Sequence, residues 1–290
     1  MDYSESILRC KDYYPDENES IVDKWLMYKS GKKGDLDTYI ESFYKMFWPD
    51  LITEICFRRE TMTSPLVTFE EYAFFKGFKW KSQKAHGVNT FISFMQENCI
   101  DWEKDFGKEF LCFIELSTSR CNMIPVPDYF NTGRSGPYAK WDYWDLALIQ
   151  IKKWFDYRKG NDEIGMKDAL RLLFAHSTHN YVFSNRSTNM FDSIKYTEIW
   201  LSKYNSWKDF ITSMYLESFV DKNNEWIPIL FWDSHSYELP LPTDTEYNIN
   251  KNEAKYKQQV ETNFVQFFER VNRMLLGRSK YLKKKEEELV

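Results

Sequence analysis

Residues 128–160, DYFNTGRSGPYAKWDYWDLALIQIKKWFDYRKG, constrain the fold more than any other stretch of this chain. Pro125 and Pro127 push the residues before them out of the α region, so 122–130 is predicted to be extended. Asn131 to Gly136 is a turn cluster, and Pro137 suits a first helical position, where its missing N–H costs nothing. Beyond it, Trp144, Leu148, Ile151 and Phe155 follow the +4, +3, +4 spacing of one helical face. The spacing predicts a helix over 137–157. Leu146 and Ile149 are apolar on the other side, so this helix is expected to be central, with other helices wrapped around it.

The rest of the chain suggests an α+β fold that is predominantly helical, with a small sheet and a long C-terminal helix. An N-terminal helical region, 1–105, is expected to hold helices at 19–30 and 36–59, the second kinked at Phe47-Trp48-Pro49-Asp50. Thr61 to Pro65 reads as a loop. Thr68 to Glu71 resembles a capping box opening a helix that breaks at Lys84–Gly87, and Val88 to Cys99 resumes the pattern. An α+β region, 106–290, begins near Asp105–Lys108. Its first element is EFLCFIEL (109–116), an apolar run of strand length.

Helices are then expected at 164–175, 192–203 and 206–219, with a second strand at Trp226–Trp232. The last helix is predicted over about 250–281, from apolar residues at Val260, Phe264, Phe267, Phe268, Val271 and Leu275. It is suited to clamping the second region or to docking in a homo-oligomer. Lys283–Glu288 reads as a solvated, frayed end.

Composition narrows the function classes. Lys+Arg 39 against Asp+Glu 44 leaves a net charge of −5, so direct nucleic-acid binding that relies on overall charge is not expected. The aromatic share is 18%, and Tyr and Trp are favoured both in cores and at protein interfaces. Five cysteines without a CxxC pair point to reduced thiols in the cytoplasm. The opening residues lack the pattern of a signal peptide, and runs such as Trp226–Trp232 are too short to span a bilayer.

Three constellations carry chemistry. Gly133, Arg134, Ser135 and Gly136, before a helix N-terminus, have the makings of an anion site, with free amides and Arg134 facing the ligand. The same glycines serve equally for a turn with Arg134 paired to a carboxylate. His176 and His179 lie three apart and would need a third ligand such as Asp233 or His235 to hold a metal. Two imidazoles at a helix C-terminus suit the dipole as well, and no metal or cofactor is expected. Asp142 and Asp145 are read the same way, as solvated helix carboxylates before a cation site.

Arg171 and His176 fit the spacing Arg-x4-His. This resembles the motif of the higher-eukaryote and prokaryote nucleotide-binding ribonucleases, where the pair serves RNA cleavage; Leu172 departs from the usual polar residue after the arginine. That resemblance implies an RNA- or nucleotide-processing enzyme using Arg171 and His176, with phosphate held at 131–136. A second resemblance covers the later part of the chain. It rests on Asn131 and Arg134, Tyr143 to Leu148, Ser218-Phe219-Val220, Leu239 to Asp244, and Phe268 to Arg273. These are similar to an uncharacterised bacterial and phage domain family. An acidic, aromatic-rich protein of this size also resembles phage-encoded inhibitors of bacterial immunity such as anti-Gabija proteins. That implies a non-catalytic protein that occludes a defence nuclease complex in the bacterial host cell.

Overall fold

The computed structural model describes residues 43–54, 57, 63–67, 73–75, 78–80, 97–99, 109–110, 112–113, 116, 119–131, 144–174, 190–227 and 249–289. They form a predominantly helical α+β structure with two small antiparallel sheets and a long C-terminal helix. The helices are α1 (Pro49–Ile52), α2 (Trp144–Lys159), α3 (Glu163–Leu173), α4 (Met190–Ser202), α5 (Trp207–Ser213) and α6 (Ile249–Leu289). The strands are β1 (Thr63–Pro65), β2 (Ala73–Phe75), β3 (Phe78–Trp80) and β4 (Met123–Pro125).

Helix α2 buries the predicted face: Trp144, Leu148, Ile151 and Phe155 are all buried, with Ala147 and Trp154 beside them. Ile149 is only half-buried. The helix runs on to Lys159, and residues 137–143 lie outside those described. Rings then link the elements around it. Phe130 meets Trp144, Phe174 and Trp200, and Trp200 meets Phe210, which also packs against Phe155. Most of these pairs are tilted or edge-to-face, the geometry the ring quadrupole favours. Much of the aromatic content is thus spent inside the molecule.

The C-terminal end of α2 and the two ends of α5 show how local chemistry sets the chain path. At the end of α2, Asn161 adopts φ 55°, while Asp162 N–H reaches the Tyr157 carbonyl and Asn161 N–H that of Arg158. This is a Schellman stop with Asn in the left-handed position. Asp162 then caps α3 by accepting from Gly165 N–H at 2.9 Å, so α2 and α3 form a tight helical hairpin. Helix α5 starts on a Ser206 cap, which accepts from Asp209 N–H.

The segment 206–219, predicted as one helix, is split. Leu216 N–H bonds to the Ile211 carbonyl and Tyr215 N–H to that of Thr212, and Tyr215 takes φ 55°. A second Schellman stop ends α5 there, with tyrosine where glycine is usual. A 3-10 turn, Glu217–Phe219, follows, and Val220 bridges Trp226 across a short turn. Residues 228–232 of the predicted second strand lie outside those described.

Four other expectations are corrected. Within 109–116 the described residues Glu109, Phe110, Cys112, Phe113 and Leu116 are helical. Phe110, Phe113 and Leu116, three apart, share one buried face, and the two rings pack on Phe268. The strand on this side is β4, inside the extended segment, paired with β1, where a loop was predicted. Pro65 fits at the end of so short a strand because it need not donate there. Asn122 continues that ladder with its side chain, donating to the Val67 carbonyl at 3.0 Å and accepting from Val67 N–H at 2.8 Å.

The helix expected after Thr68 gives way to a β2–β3 hairpin, Phe75 opposite Phe78. The split at Trp48-Pro49 stands: residues 43–47 are helical, and Pro49 opens α1. Lastly, Lys283–Glu288 is helical rather than frayed. Leu282 is buried, and Arg120 holds Glu286 at 3.4 Å. Helix α6 spans 41 residues, about 60 Å. On its described side chains Phe268, Val271, Leu275 and Leu282 face the core; those of Val260, Phe264 and Phe267 lie outside the described set.

Candidate functional site

Helix α6 places one charged residue where its core stripe runs. Arg278 follows Phe268, Val271 and Leu275 at +3, +4, +3 spacing and is fully buried. Its guanidinium donates to four carbonyls: Met123 (2.7 Å), Cys121 (2.8 Å), Tyr215 (3.1 Å) and Met214 (3.2 Å). The group thus joins α6 to the end of α5 and the start of β4. Burial lowers its pKa to about 10, so it stays a cation at neutral pH.

Close by, burial raises the Glu217 carboxyl above its ordinary range, against the pull of a backbone hydrogen bond and the Arg278 charge. Its Oε2 has no hydrogen-bond partner. One residue away, Ser218 donates to the Met274 carbonyl at 2.7 Å. This cluster is built to hold elements together, since every bond from the guanidinium goes to main chain.

The sequence-predicted sites fall differently. Arg171 sits on the solvent side of α3 and pairs with Asp168 at 3.2 Å. His176, His179, Gly133, Arg134, Ser135, Gly136, Asp142, Asp233 and His235 lie outside the described residues, as does the Asp145 side chain. Arg120 is engaged structurally, paired with Glu286 and set over the Phe43 ring at 5.2 Å. Among the described residues, no group of three or more His, Cys, Asp or Glu is placed to hold a metal ion. Nor is any helix among them long and apolar enough to cross a membrane.

What sequence reasoning missed is the outer face of the α2–α3 hairpin. Helix α3 buries Gly165, Ala169, Leu170 and Leu173, which turns Ile164, Asp168, Arg171 and Leu172 outward. Ile164 is 75% exposed and Leu172 44%. Tyr157, 38% exposed, lies against Gly165 in the first turn of α3: a Cβ at Gly165 would collide with its ring and come within 2.6 Å of the Asp162 carboxylate. The absence of a side chain at Gly165 is what lets the ring approach α3 so closely.

The result is a short apolar strip crossed by one ion pair. On a helical wheel Ile164 falls opposite the side that buries Gly165, Ala169, Leu170 and Leu173, and Leu172 lies at the edge of that side. Such a strip can dock an apolar patch while Arg171 and Asp168 offer polar contacts at its rim. No protein-family model matches this chain, and neither a curated protein nor a solved structure matches it.

Proposed function

We propose that this chain is a non-catalytic protein-binding protein, and that the α2–α3 hairpin presents its binding face. The observation that carries the reading is the strip of Tyr157, Ile164 and Leu172 left open to solvent. Large apolar side chains grouped on one outer face are what a partner surface buries. The general aromatic richness carries less weight than it did in the sequence, because so many of the rings pack in the core.

The resemblance to phage-encoded inhibitors of bacterial immunity supplies the partner class. The chain would occlude a defence nuclease complex in the bacterial cytoplasm, with most of the energy in a few anchors. Ile164 and Tyr157 fit that role. Passing the purified protein over such a complex and separating the mixture by size tests this. A stable co-eluting species is expected, and two unshifted peaks at micromolar concentration would contradict it.

A further inference from the structure

We draw no further inference here: the strongest candidate, the exposed strip of Tyr157, Ile164 and Leu172 on the α2–α3 hairpin, belongs to the surface already described, and nothing in the structure shows what covers it.

Discussion

Arg278 Nε donates to the carbonyl of Tyr215 at 3.1 Å, and Tyr215 is held at a positive φ of 55°. A bulky residue in the left-handed region is strained and persists only where its surroundings over-determine it. Here they do so from two sides. The carbonyl is fixed by Arg278, and the ring packs edge-on against Phe47 and Trp48. Trp48 Nε1 in turn donates to the Ser213 carbonyl at 2.8 Å, tying the N-terminal helical segment to the same turn.

Arg278→Ala would leave four inward carbonyls without their donor and open a cavity in the core. The expected loss is about 3–5 kcal/mol, read from urea unfolding. Arg278→Lys should recover little of it, because an ammonium cannot reach carbonyls spread around a planar fork. Full rescue by lysine would show that charge, and not the fork, matters here.

Tyr215→Ala and Tyr215→Gly both remove the ring, so their difference isolates the backbone. In most positions alanine is the more stable of the two. At φ 55° the order should invert, with glycine ahead by about 0.5–1 kcal/mol. Equal thermal midpoints, or alanine ahead, would mean that the turn relaxes.

Gly277 lets α6 cross the 3-10 turn closely. A Cβ there would sit 2.6 Å from Ser218 Cβ, which belongs to the base of a side chain and cannot swing aside. Gly277→Ala should cost about 1–3 kcal/mol despite alanine's better helix propensity. Ser218→Gly in the same chain should give part of that back, measured as a positive coupling in a double-mutant cycle.

The buried thiols set an alkaline limit. Burial, with Glu109 and Cys121 adding to it, pushes the Cys112 thiol up to about 12. Burial also raises Cys121 to about 11, against a hydrogen bond shared with Ser119 and the Arg278 charge. In the unfolded chain a thiol titrates near 8.5, so above that pH the unfolded state holds fewer thiol protons than the folded state. Their stabilisation is complete below about pH 8.5 and declines as pH rises through the folded values. Stability should fall from about pH 9 to 10, and Cys112→Ala should flatten that slope. Per-site labelling at pH 8 should modify the exposed Cys99 and spare Cys112 and Cys121 until the protein unfolds.

How much of this was readable in the sequence follows from which interactions are local. The α2 face was legible because Trp144, Leu148, Ile151 and Phe155 keep strict helical spacing over three turns. Glu109–Leu116 was not, since a run of that length satisfies both strand and helix until Phe268 selects one side. The β2–β3 pairing was hidden because Thr68–Glu71 reads as a capping box, which set a helical reading for the residues after it. Nothing before Tyr215 announces a helix stop, because the residue in the left-handed position is not glycine. Arg278 lies three residues past Leu275, the last apolar position read from the sequence, and was not singled out; its four acceptors come from segments some 60 and 155 positions away in sequence. Of the candidate site, Arg171 was singled out only as half of an Arg-x4-His pair, and the exposure of Ile164 and Leu172 was passed over. Solvent exposure of apolar residues shows only once the buried side is known.

The claim at the centre of the functional account is that the hairpin strip is the binding face. Ile164→Glu with Leu172→Glu changes only outward positions, so circular dichroism and the thermal midpoint should stay near wild type, within about 0.5 kcal/mol. Affinity for the co-eluting complex, measured by titration calorimetry, should fall at least 100-fold, about 2.7 kcal/mol. A folded double variant that binds as tightly as wild type would contradict the account.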